Sequence, residues 1–119
     1  MIKIRHIHDP YNPKGPAITI ASNLFYEPAE KYPSSLEFAL AICNPEDNFS
    51  KKAGVALATK RITEGGTKYY RHIKLDCKRQ LAASDYEDLI DATVAVMDIP
   101  NFAFNLMYSY CRGRYDYFR

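Results

Sequence analysis

The run from Leu36 to Cys43 constrains the fold more than any other segment, because it is apolar at every position except Glu37. A short apolar run of this kind, bounded by breaking residues, is typical of a buried β-strand. The sequence Asn44-Pro45 ends the run. We therefore place this strand in the centre of a sheet.

Three further strands are predicted around it. Ile2, Ile4 and His6 alternate with basic residues and indicate a first strand that ends at the turn Asp9-Pro10. A second strand is expected over Ala17–Ala21, after a loop rich in Pro and Gly. Gly65-Gly66 indicates a hairpin turn, and residues 67–75 follow it as a strand.

A helix is predicted over residues 51–61, because Ser50 can accept a hydrogen bond from a backbone amide of its first turn. Gly54 argues against this helix, because a glycine in a helix interior lowers its stability by about 1 kcal/mol relative to alanine. A strand remains the alternative, since Val55, Leu57 and Thr59 alternate in the same segment.

The last third of the chain is predicted to form two helices. Ser84 and Glu87 match a capping box, which starts the first of them. Asp98 can cap the second, with Pro100 tolerated in its first turn. Arg112 and Gly113 form the stop signal, in the last turn and just beyond it.

This order of elements predicts the fold class. Strands come first and helices last, which favours an α+β protein: an antiparallel sheet of N-terminal strands with two C-terminal helices on one face. A length of 119 residues is that of a single domain, 1–119.

Composition and charge argue against several functions. The chain has 16 basic and 14 acidic residues, and this net charge of +2 is too small for a binder of nucleic-acid polymers or membrane surfaces. No apolar run is long enough to span a bilayer, and the start of the chain has no apolar signal segment. The three cysteines, Cys43, Cys77 and Cys111, lack metal or disulfide spacing. A protein of the cytoplasm with reduced thiols is expected.

No pattern of catalytic residues stands out. His6, His8 and His72 invite a metal site, but no carboxylate stands at a spacing that would complete one. No nucleophile motif or phosphate-binding glycine loop occurs. We therefore expect a binding protein and not an enzyme, without a metal or cofactor.

Two segments could bind an anionic ligand. Lys51 and Lys52 would place positive charge beside the unpaired amides of a helix start, although two solvated lysines are an equal alternative. The C-terminus interleaves arginines with aromatic residues, as a nucleotide pocket needs and as a subunit interface also uses. That cluster consists of Tyr108, Tyr110, Arg112, Arg114, Tyr115, Tyr117, Phe118 and Arg119.

The first segment resembles a known family. The pattern Cys43-Asn44-Pro45-x-Asp47-x-Phe49-Ser50-Lys51-Lys52-x-Gly54, followed by Ala58 and Arg61, is similar to small phage proteins of the anti-Thoeris sponge type. The resemblance implies a homo-oligomer that sequesters a cyclic ADP-ribose signal, or a cyclic oligonucleotide, without cleaving it. It also implies action in the cytoplasm of an infected bacterium. The alternative is a phage inhibitor that binds a host defence protein directly, of the anti-CRISPR or anti-restriction type.

Physical character selects the expected ligand-binding residues. Lys51 and Lys52 are predicted to bind phosphate, and Asn105 is predicted to make a polar contact. Arg112 and Arg114 are predicted to bind pyrophosphate, and Tyr86 and Phe104 to stack on a ring. The last helix carries apolar side chains in nearly every direction, which predicts that a second protomer covers part of it.

Overall fold

Four strands and three helices make up the computed structural model, which describes residues 1–9, 11–12, 14–75 and 79–114, and only the backbone at 113 and 114. The elements, in chain order, are β1 (Lys3–His8), β2 (Ala17–Phe25), β3 (Ser35–Cys43), α1 (Lys51–Glu64), β4 (Tyr70–Lys74), α2 (Ala83–Ala95) and α3 (Asn101–Arg114). The predicted α+β class is confirmed.

The strands form one antiparallel sheet in the order β1-β2-β3-β4. The apolar run is therefore an interior strand, as its composition predicted. Strand β2 extends to Phe25, which pairs with Ser35, and so continues beyond the predicted end at Ala21. Strand β4 occupies only the central part of the predicted segment 67–75.

The two faces of the sheet differ in side-chain size, and this difference places the helices. In β3, the large residues Leu36, Phe38 and Leu40 point to one face and pack with α2 and α3. The small residues Ala39 and Ala41 point to the other face and pack with α1. The two C-terminal helices therefore share one face, as predicted, and α1 lies alone on the small-residue face. A surface of alanines lets a helix approach the strands closely.

Helix α1 begins as predicted, and the alternative of a strand is wrong. The Ser50 hydroxyl accepts a hydrogen bond from the Ala53 amide at 3.2 Å. The helix continues beyond the predicted Arg61, and Gly65 ends it with a φ of 64° while its amide donates to the Arg61 carbonyl. Gly65-Gly66 is thus the end of a helix and not a hairpin turn, and the positive φ values of both residues favour glycine.

The start of α2 differs from the predicted capping box. The helix begins at Ala83, one residue before the predicted cap Ser84. The Asp85 carboxylate accepts a hydrogen bond from the Ala82 amide at 3.0 Å. Since Ala82 has no side-chain oxygen, only this half of a capping box can form.

Helix α3 also begins and ends later than predicted. Its first residue is Asn101, so Pro100 precedes the helix, and the Pro100 carbonyl accepts a hydrogen bond from the Phe104 amide. Asp98 does not cap it, since that side chain is 98% exposed and lies 3.9 Å from the Lys68 ammonium. Gly113 does not stop the helix, which continues to Arg114.

One ion pair ties the edge strand β1 to helix α2. The Arg5 guanidinium donates two hydrogen bonds to the Asp91 carboxylate, at 2.7 and 3.2 Å. Asp91 is only 1% exposed. Burial of Arg5 opposes its charge, but the hydrogen bonds and charge of Asp91 outweigh this effect and raise the pKa of Arg5.

A second polar contact joins the interior of the sheet to β4. The Tyr70 hydroxyl donates to the Glu37 carboxylate at 2.5 Å. This hydrogen bond, with burial and the negative charge of Glu37, raises the pKa of Tyr70 to about 12. The contact fixes β4 against β3 on the face that α1 covers.

Candidate functional site

The main cleft lies where the loop between β1 and β2 faces helix α3. Its volume is about 620 Å³, and its lining includes Tyr11, Phe102, Asn105 and Tyr110. Aromatic rings and a side-chain amide are the groups that stack on a planar base and hydrogen-bond to its edge. A pocket of this size falls in the range of small-molecule sites.

Local hydrogen bonds position the walls of the cleft. The Asp9 carboxylate accepts a hydrogen bond from the Tyr11 amide at 2.9 Å, and both residues line the cleft. On the opposite wall, the Arg5 guanidinium donates to the Tyr110 hydroxyl at 3.3 Å. The ion pair between Arg5 and Asp91 therefore also holds one aromatic wall of the cleft.

A basic cluster adjoins the cleft at His8; we define it as His6 and His8, which flank the ring of Phe49, together with Lys51, whose charge acts on His6. The rings of His6 and His8 lie 5.4 and 6.2 Å from the Phe49 ring, between centroids. His8 also lines the cleft, so it belongs to both features. The pairing of β1 with β2 holds His6 in place, through a 2.9 Å hydrogen bond to the Thr19 hydroxyl.

The electrostatics of this cluster favour a negatively charged ligand. Burial lowers the pKa of His6, and the charges of Lys51 and His8 lower it further. The lowered pKa leaves His6 mostly uncharged at neutral pH, so Lys51 is the main positive charge of the cluster. An anion there could also accept hydrogen bonds from the amides at the start of α1.

The structure brings some predicted site residues to this region. Lys51 and Lys52 occupy the first turn of α1 and are both exposed, as predicted. Asn105 lines the cleft from α3. Lys51 therefore belongs to the basic cluster and Asn105 to the cleft, and His8 takes part in both.

The other predicted residues lie elsewhere. Tyr86 is 7% exposed in the core, where its hydroxyl accepts from the Leu81 amide at 3.4 Å. Phe104 points outward from α3, is 43% exposed, and stacks on Tyr108 at 6.4 Å. Arg112 is exposed in the last turns of α3, and it does not line the cleft. The Arg114 side chain and residues 115–119 lie outside the described part of the chain.

Sequence reasoning missed most of the cleft. It considered His6 and His8 as metal ligands, set that role aside, and gave them no other binding role. Phe102 was not among the predicted binding residues, and Tyr110 appeared only as a member of the C-terminal basic and aromatic cluster. Their spacing of eight residues, two turns apart with Asn105 and Leu106 between them, was the available signal for one shared wall.

None of the helices in the described ranges is long and apolar enough to cross a membrane. No family model, curated protein or solved structure matches the chain.

Proposed function

We propose that this protein binds a cyclic nucleotide signal and holds it without cleaving it. The observation that carries the proposal is the continuity, at His8, of an aromatic and amide-lined cleft with a basic cluster. A nucleotide needs both parts: a flat apolar surface for the base and positive charge with hydrogen-bond donors for the phosphates.

The cleft suits the base of such a ligand, and the basic cluster suits its phosphate. In the cleft, a base would stack on Phe102 or Tyr110 and hydrogen-bond to the Asn105 amide. At the basic cluster, a phosphate would lie between His6, His8 and the first turn of α1. The Lys51 ammonium would reach that phosphate as a point charge.

The biological setting of the proposal rests on the resemblance of the segment from Cys43 to Arg61 to the phage anti-Thoeris sponges. In this setting the ligand is a cyclic ADP-ribose isomer or a cyclic oligonucleotide. The protein would act in the cytoplasm of an infected bacterium and would block a defence system by removing its signal.

Calorimetry with cyclic ADP-ribose isomers and cyclic dinucleotides tests the proposal. We expect saturable binding of at least one of them, with the ligand recovered unchanged after heating the complex. Because an exposed lysine contributes through a screened contact, Lys51→Ala and Lys52→Ala should each weaken binding about threefold to tenfold. Asn105→Ala should weaken it by a similar factor through loss of a base contact.

The matched control is Lys60→Ala, which removes an exposed lysine two turns further along the same helix. We expect it to leave affinity unchanged. If none of the nucleotides binds the wild-type protein, the proposed function is wrong. If binding occurs but resists all three test variants, the ligand does not occupy the cleft and the basic cluster.

We also propose that the protein forms a homo-oligomer through the outer side of α3. Phe104 and Tyr108 are stacked there and are 43% and 44% exposed, although large aromatic side chains are usually buried. A second protomer would cover them, and Phe104→Asp should then dissociate the oligomer.

Light scattering at micromolar concentration measures the mass directly. A wild-type mass near 13.7 kDa, that of one chain, would contradict the oligomer. A monomer that also binds no nucleotide would favour the alternative function, in which Phe104 and Tyr108 contact a host defence protein.

A further inference from the structure

Among the described residues that line the cleft, one carries a carboxylate, and it stands where the cleft meets the basic cluster. This residue is Asp9, which is half-buried and directly follows His8 at the end of β1. The Asp9 carbonyl accepts a hydrogen bond from Nδ1 of the His8 ring at 3.3 Å. Asp9 is therefore held beside the residue that takes part in both the cleft and the basic cluster.

The carboxylate of Asp9 uses only part of its capacity to accept hydrogen bonds. Its Oδ1 atom accepts from the Tyr11 amide at 2.9 Å. Within the described ranges, Oδ2 has no hydrogen-bond partner, and no basic side chain forms an ion pair with Asp9. An ionised carboxyl group has about four acceptor sites on its two oxygens. Asp9 thus offers a ligand in the cleft a charged acceptor at a fixed position.

The negative charge of Asp9 determines which part of a nucleotide can lie beside it. A phosphate would be repelled by the carboxylate and belongs instead at Lys51. The base belongs on the aromatic wall formed by Phe102 and Tyr110. The sugar joins these two parts, and its hydroxyl groups can donate to a carboxylate in short, charge-assisted hydrogen bonds. The carboxylate, placed between the rings and the basic cluster, therefore corresponds to the sugar.

From this arrangement we infer that the Asp9 carboxylate binds a free ribose hydroxyl and makes the site specific for ribonucleotides over their deoxyribose counterparts. The inference rests on the proposed function and adds to it the sugar that the ligand must carry. A deoxyribose would cover the half-buried carboxylate without donating to it, and a charged acceptor left without a donor is costly.

Calorimetry with matched pairs of ligands tests the inference. Cyclic ADP-ribose, cyclic di-AMP and cyclic di-GMP are each compared with a counterpart in which hydrogen replaces the free ribose hydroxyls. We expect at least one ribose form to bind the wild-type protein, and its counterpart to bind about tenfold more weakly or worse. Equal affinities within the pair would overturn the inference and leave the proposed function standing. If no ribose form binds, both are wrong.

Two variants of Asp9 show whether its carboxylate causes the discrimination. In Asp9→Ala the acceptor is absent, so the two members of the pair should differ by less than about threefold. Asp9→Asn keeps an oxygen that can accept from the Tyr11 amide but has no charge, and it should also lose most of the discrimination. It therefore decides the matter if Asp9→Ala disturbs the loop. A wild-type ratio of affinities in a folded Asp9→Asn protein would overturn the inference.

The matched control is Glu46→Ala, which removes an exposed carboxylate near Phe49 that does not line the cleft. It changes the net charge by the same amount as Asp9→Ala and should leave the ratio of affinities unchanged. If Glu46→Ala reduces the ratio as much as Asp9→Ala does, the cause is charge in general and not a contact with the sugar, and the inference is wrong.

Discussion

Replacing Asp91 with alanine is expected to lower the free energy of unfolding by about 3 kcal/mol. The substitution leaves the Arg5 guanidinium without the carboxylate that accepts two of its hydrogen bonds. Removing one partner of a buried ion pair costs about 3–5 kcal/mol, because the remaining charge is uncompensated. The lower end applies here, since the Arg5 side chain is 19% exposed and can reach some water. Urea denaturation followed by circular dichroism measures the change.

Two further variants show whether the unpaired charge is the cause. Asp98→Ala removes a carboxylate whose side chain is 98% exposed, and it should change stability by less than about 0.5 kcal/mol. The double variant Arg5→Met/Asp91→Leu should recover much of the loss, because neither charge remains to be buried. If Asp91→Ala alone costs no more than the Asp98 control, the ion pair does not stabilise the fold.

Gly54→Ala should destabilise the protein by about 1–3 kcal/mol, although this change normally stabilises a helix by about 1 kcal/mol. A Cβ atom at this position would lie 2.3 Å from the Thr19 hydroxyl oxygen, well inside contact distance. Thr19 is 1% exposed in an interior strand and is hydrogen-bonded to His6, so it cannot move aside easily. The added methyl group would therefore push α1 away from the sheet.

Thermal and urea unfolding of a double-mutant cycle test this steric explanation. In the background Thr19→Ala, the obstructing oxygen is absent, and Gly54→Ala should cost much less than in the wild type. Ala56→Gly, at an exposed position of α1, should lose about 1 kcal/mol and so reports the ordinary preference of the helix. A stabilising effect of Gly54→Ala in the wild type would show that α1 does not approach the strand this closely.

Local patterns were sufficient to predict which segments form strands and helices. The Ser50 cap depends only on the residues around it, and it was predicted correctly. The end of β2 was wrong because the pairing of Phe25 with Ser35 decides it, and no local signal reports a partner ten residues away. The predicted start of α2 at Ser84 was wrong. The Asp85 carboxylate, and not that of Glu87, accepts the hydrogen bond from the amide of the residue before the helix.

The face of the sheet on which each helix packs could have been predicted from the side-chain sizes in β3. In that strand the large residues Leu36, Phe38, Leu40 and Ile42 alternate with smaller or polar ones, two of them the alanines Ala39 and Ala41, so its two faces differ in side-chain size. The order of elements alone placed the two C-terminal helices on one face and left the position of α1 open. The size alternation would have separated α1 from α2 and α3.

The candidate site was harder to predict, because its residues come together only through the tertiary structure. His8, Phe49 and Asn105 lie far apart in the chain and meet at neighbouring positions around β1. Residue type alone selected Tyr86 for stacking, yet its position on the apolar stripe of α2 buries it in the core. Chemical character indicates what a residue can bind, whereas only packing decides whether a ligand can reach it.

The outer strands of the sheet affect how the protein behaves at high concentration. Edge strand β1 carries Lys3, and edge strand β4 carries Arg71 and Lys74. When two copies approach edge to edge, positive charge meets positive charge, which opposes the strand pairing that leads to fibrils. Pairing of two copies through either outer strand is therefore disfavoured.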